Sequence, residues 1–102
     1  MNINFVERGG SLILVVDGEL DLATAPQLDE ALTRAQAGGV SELVVDLDQV
    51  GFVDSSGLHV LIKHVGRMGE NGRRLRLTKG SPQVRRLFEL SGVSDRLPFV
   101  ED

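Results

Sequence analysis

The chain has 102 residues, of which 41% are apolar and 25% charged, with 15 acidic against 11 basic side chains and a formal net charge of −4. These values match ordinary globular domains and exclude a disordered, fibrous or low-complexity chain, and the length suits one domain spanning 1–102. Cysteine is absent, which excludes disulfides and thiolate metal sites and fits a reducing compartment, while the acidic balance argues against nucleic acid as the main partner.

The opening residues MNINFVERGG lack the basic start and apolar stretch of a secretion signal. The longest uninterrupted apolar run, LILVV, is far too short to span a bilayer. Membrane insertion is not expected, and the expected location is the cytoplasm. The runs INFVE and SLILVVDGEL, separated by RGG, read as an antiparallel hairpin whose glycines supply the turn. Thr24 then stands at a helix start with Pro26 in the first turn and Gln27 at capping-box spacing. Leu28, Ala31, Leu32 and Ala35 mark one face of this first helix, and Gly38 and Gly39 close it.

ELVVDL is a short continuous apolar run of the sort buried inside a parallel or mixed sheet. A second helical stripe, Leu58, Leu61, Ile62 and Val65, follows, with fraying expected between Gly66 and Gly72. RLRLT alternates as a strand with one solvated face. Ser81 and Pro82 open a third helix with Val84, Leu87 and Phe88 inward, Gly92 at C′ and Val93 beyond it. RLPFV reads as a last edge strand, where Pro98 is tolerated. The order β-β-α-β-α-β-α-β implies an α/β domain with a mixed sheet and an opening antiparallel hairpin; that its three to four helices pack mainly on one face is an expectation the order alone does not fix.

The junction VDSSGL, between the third strand and the second helix, combines a carboxylate, two hydroxyls and a glycine. One reading is a helix cap by Ser55 or Ser56 with Gly57 allowing close approach of another molecule. A nucleophilic serine fits poorly, because VDSSG is not the GxSxG elbow, and His59 and His64, five residues apart, lie on different helix faces. A third reading makes a serine the acceptor of a phosphoryl group, which a helix N-terminus accommodates through its free N–H groups and dipole.

The segments DGELDLATAPQL, ELVVDLDQVGFVDSSGLHVLI and SPQVRRLFELSGV closely resemble the STAS family, in particular the bacterial anti-sigma factor antagonists, over nearly the whole chain. The resemblance implies a regulatory domain, not an enzyme. It binds an anti-sigma factor that is also a serine kinase and so releases a sigma factor. It is switched off by phosphorylation and reset by a PP2C-type phosphatase. Carried onto this sequence, the acceptor is Ser56, with Ser55 as the fallback, and Asp21 and Asp54 are the accompanying acids. On the same resemblance, Asp21, Asp54, Ser55, Gly57, Leu58 and His59 are expected to form the partner-binding surface. His59 departs from the small residue that many relatives have after SSGL, which bears on the partner's identity. The alternative within the same family is a scaffold subunit of a lipid-transport or stressosome-like complex.

The basic residues Arg67, Arg73, Arg74, Arg76, Lys79, Arg85 and Arg86 read as a solvated face, since no aromatics interleave with them as a stacking platform requires. No GxGxxG or Walker pattern is present, so ATP is expected to arrive bound to the partner kinase. No cofactor is expected, no HExxH-type spacing suggests a metal, and the domain is expected to be a monomer.

Overall fold

A computed structural model describes residues 1–100. Strand β1 (Asn2–Arg8) pairs antiparallel with β2 (Ser11–Leu20), and the turn between them is made by Gly9 and Gly10 at φ of +58° and +87°, where a side chain is strained. Helix α1 (Ala25–Ala37) carries the chain to β3 (Glu42–Val53), parallel to β2; helix α2 (Ser55–Glu70) leads to β4 (Arg74–Leu77), parallel to β3. Helix α3 (Pro82–Leu90) and a 3-10 turn (Ser94–Arg96) complete the chain as described. The strand order is β1-β2-β3-β4, the mixed sheet with an opening hairpin that the sequence implies.

All three helices cover one face of this sheet. Leu14, Val16 and Leu20 of β2, Leu43, Val45 and Leu47 of β3, and Leu75 and Leu77 of β4 meet Leu28 and Leu32 of α1, Leu61 and Met68 of α2, and Val84 and Phe88 of α3 in one buried cluster. Each such leucine contributes about 1.5–3 kcal/mol by leaving water. The opposite face carries Val6, Ile13, Val15 and Val44 with Glu42, Asp46 and Arg76, joined by a Ser11 hydroxyl bond to Glu42 Oε1 at 2.7 Å. No helix lies over it among the described residues.

Four expectations are corrected in detail. ELVVDL is only the first half of β3, because between Asp46 and Val53 the strand has two more residues than its β2 partner, and these bulges turn Val50 and Val53 inward out of a non-alternating sequence. Helix α2 does not fray at Gly66. It runs to Glu70 because Met68 is fully buried and the Met68 carbonyl accepts from Arg73 N at 2.8 Å, which anchors the last turn. Thr24 and Gln27 form no capping box: the Thr24 hydroxyl donates to Glu19 O, and the Gln27 amide reaches Met1 O. RLPFV is not a strand. The 3-10 turn consumes its start, and a single parallel bridge, Leu77 to Phe99, is what remains against β4.

The third helix forms as its sequence implies, with the Ser81 hydroxyl accepting from Val84 N and Gly92 at φ +72° just past its end. Leu87 is only half-buried and turns toward a surface groove.

Candidate functional site

The parallel strands β2 and β3 end side by side, and Asp54 N donates to Leu20 O at 2.9 Å, so the loops after Leu20 and Val53 form one surface at the carboxyl edge of the sheet. Loops at that edge are where α/β sheets present their working residues. Asp21 begins one loop and Asp54 the other. The structure therefore brings together the two acids that the sequence singles out.

Asp21 is more than a surface charge. Its Oδ1 accepts from Ala23 N and Thr24 N, each at 3.0 Å, while Asp21 N donates to Thr24 Oγ1, whose own proton goes to Glu19 O at 2.6 Å. This Asx-type turn organises the entry to α1, the role expected of Thr24 alone. Leu22, beside it, is 78% exposed, an apolar side chain offered to solvent at the rim of the site.

Asp54, not a serine, caps α2. Its Oδ1 accepts from Ser56 N at 2.8 Å and Gly57 N at 3.3 Å, and its carbonyl accepts from Leu58 N. The cap frees both hydroxyls from structural duty. Ser55 is exposed in the first turn and Ser56 half-buried next to it. The same cap already occupies two of the helix-start donors that a phosphate was expected to use. A phosphoserine here would meet the Asp54 carboxyl group instead of an open nest of N–H groups.

Gly57 is buried within the domain. A Cβ at this position would stand 2.9 Å from Leu20 Cβ and 3.3 Å from Leu20 O, so the glycine serves the close approach of α2 to β2 within the domain. Leu58 is also buried, at the base of a groove, and His59 is exposed on its wall. That groove, of about 490 Å³, runs from Asp54 and Ser55 between α2 and α3, with Phe52, Ile62, Leu87 and Arg96 along it. The sequence reading missed these four. Phe52 alone left a signal, a large aromatic with one residue between it and DSSG, and it is 41% exposed.

His64 is on another face, as its spacing from His59 requires. The ring is fully buried between α1 and α2, with Nε2 2.6 Å from Asp29 Oδ1 and Nδ1 2.5 Å from Gln36 Nε2. An amide nitrogen only donates, so Nδ1 accepts and the neutral ring keeps its proton on Nε2 for Asp29. Burial pushes this imidazole below its ordinary range against the opposing pull of Asp29. The Asp29 carboxyl is held below its usual range, first by its hydrogen bond to Lys63 and then by that to His64. The basic residues disperse. Arg73 donates to Gln36 O and Val40 O, Arg76 lies 4.0 Å from Glu42, and Arg67, Arg74, Arg85 and Arg86 are exposed. Among the described residues no group of three or more His, Cys, Asp or Glu is placed to hold a metal.

The family model described as the STAS domain matches residues 2–102. The chain belongs to the STAS family. This STAS domain is 35% identical over 101 residues to the anti-sigma-B factor antagonist of Staphylococcus aureus (strain NCTC 8325 / PS 47), covering 99% of this chain and 94% of that protein. Its fold superposes on an anti-sigma factor antagonist from Mycobacterium paratuberculosis with a TM-score of 0.87 at 27% identity, covering 99% and 86% of the two chains. It also matches the Bacillus cell fate determinant SpoIIAA in the phosphorylated form, with a TM-score of 0.70 at 20% identity over 99% of this chain and 93% of that one. In this STAS domain no helix among the described residues is long and apolar enough to cross a membrane.

Proposed function

We propose that this STAS domain is an anti-sigma factor antagonist. It binds an anti-sigma factor that is also a serine kinase, so that a sigma factor is released, and phosphorylation of Ser56 by that kinase turns it off. A PP2C-type phosphatase restores it. The domain acts by binding, in the cytoplasm, and the nucleotide belongs to the kinase. The observation that carries this reading is the Asp54 cap, which holds the start of α2 by itself and leaves the hydroxyls of Ser55 and Ser56 out of the capping. The 35% identity to an anti-sigma-B factor antagonist along the whole domain supports it.

Incubation with candidate anti-sigma kinases and ATP, followed by phosphosite mapping, tests the assignment. One phosphate at Ser56 is expected, with Ser56→Ala abolishing the label while the fold persists. Labelling of Ser56→Ala at the wild-type rate would move the acceptor to Ser55 or elsewhere.

A further inference from the structure

The two edges of the sheet are treated differently. Along β4 the chain's own end closes part of the edge: Leu77 N donates to Pro98 O at 3.0 Å and Val100 N to Leu77 O at 2.7 Å. Along β1 nothing among the described residues pairs with the outer side. Natural sheets usually blunt an open edge with proline, lysine, a bulge or a very short strand. β1 has none of these. It is seven residues long, NINFVER, and pairs with β2 in unbroken register from Asn2–Asp17 to Arg8–Ser11. Its two charges, Glu7 and Arg8, cancel and are confined to one end, and Phe5 and Val6 in its centre are 48% and 41% exposed on opposite faces.

The strand is also held ready. Met1 O accepts from the Gln27 amide at 3.0 Å, and Met1 stands so close to Gly18 that a Cβ there would meet its Cα at 3.2 Å. These contacts fix the start of β1 against α1 and β2, so an incoming strand meets an ordered edge.

We propose that β1 is a self-association edge, at which a second copy of this chain adds its own β1 antiparallel and extends the sheet from four strands to eight. A second copy fits because the strand is self-complementary about Phe5. That register pairs all seven residues: Phe5 meets Phe5 of the other copy, Val6 meets Asn4, and the Glu7–Arg8 ends lie far apart, so no like charges face each other. The contact is small. A seven-residue strand is about 24 Å long, and one strand pair buries well under the ~1,600 Å² of a standard stable interface, so the dimer is weak and concentration-dependent. The edge shares no residue with the loops of the proposed antagonist site, and the inference stands independently of that function.

Sedimentation of the full chain from about 10 µM to about 1 mM tests it. The weight-average mass is expected to rise from one chain toward two. Phe5→Lys and Phe5→Glu each put like charges across the two-fold axis and should weaken association at least tenfold when alone. Mixing the two variants pairs lysine with glutamate and should restore association to near the wild-type level. A wild type that stays a single chain throughout overturns the proposal, as does a dimer that persists undiminished in both variants. Thermal melts establish that the variants fold. If either does not, amide exchange of wild-type β1 at the two concentrations decides: protection that grows with concentration supports the edge contact, and unchanged protection refutes it.

Discussion

Asp21 shows how a proposed site residue and a folding residue coincide. The sequence places it before a helix cap with no core to fill, which suggests that its loss leaves stability untouched; the three hydrogen bonds between its carboxylate, its amide and the following turn say otherwise. Asp21→Ala is expected to cost about 1 kcal/mol, as lost caps do, and so to lower the Tm by about 4–8 °C. Asp21→Asn keeps an oxygen at the accepting position and removes the charge. It should melt within a few degrees of wild type, so any loss of partner binding in that variant reports the carboxylate itself. Gly57 is decided by magnitudes of opposite sign. Alanine inside a helix gains up to ~1 kcal/mol over glycine, but here its Cβ meets Leu20 Cβ at 2.9 Å, an overlap with the root of a side chain that no rotamer change relieves. Overpacking of that kind costs about 1–3 kcal/mol, so Gly57→Ala should be destabilising on balance. A melting temperature at or above wild type would show that α2 can shift away from β2 freely. The DSSG junction was legible as a site because it holds more polar groups than a cap needs. Which group does the capping was not, since serine and aspartate accept the same N–H bonds and only the backbone geometry chooses between them.

Where an element has one simple period its sequence predicts it; where tertiary contacts override the period the reading fails. The stripe through Leu28, Leu32 and Ala35 and the Ser81–Pro82 start gave α1 and α3 nearly to the residue. β3 was cut short because its bulges break the alternation, and α2 was ended early because two exposed glycines look like a stop while Met68 and the Arg73 bond hold the turn from the far side. The pairing of α1 with α2 has a pH dependence that no periodicity reveals. His64 is fully buried and its folded pKa is depressed below 6.5, so the unfolded chain binds the extra proton first as pH falls. Stability from this group is therefore complete above about pH 6.5 and is lost progressively as pH drops from there toward the lowered folded value. Asp29, depressed from 3.8, adds its own loss only at lower pH, as it protonates. The Tm of the wild type should fall between pH 7 and pH 5, and His64→Gln should flatten that slope whereas His59→Gln should not. An unchanged slope in His64→Gln would assign the pH sensitivity elsewhere.

At the scale of the whole molecule the proposed switch is a matter of charge. The domain already carries −4, and phosphorylation adds about −1.5 to −2 more beside Asp54, whose carboxylate holds the very N–H groups that would otherwise soften the phosphate's field. No refolding is needed for such a switch, since the phosphate would add its charge at the start of α2 without displacing the Asp54 cap. Under the proposed function the phosphate would act on the partner. Two unit charges about 6 Å apart at an effective dielectric near 20 interact by roughly 3 kcal/mol, so one acidic group of the kinase facing the phosphate weakens binding on the order of a hundredfold. The groove beside Ser55 should contribute to both forms alike, because Phe52, Ile62 and Leu87 bury apolar surface whatever the charge at Ser56. The affinity gap between the two forms is then the electrostatic part alone, and salt should narrow it as the screening length falls from about 10 Å at 0.1 M to about 3 Å at 1 M. Ser56→Asp, with a single charge, should fall between the two forms and respond to salt in the same direction. Calorimetry of both forms against the nucleotide-bound kinase at low and high salt measures this. A gap that does not change with salt would place the switch in shape, with the phosphate excluded sterically from the kinase surface, and equal affinities at low salt would remove the switch altogether.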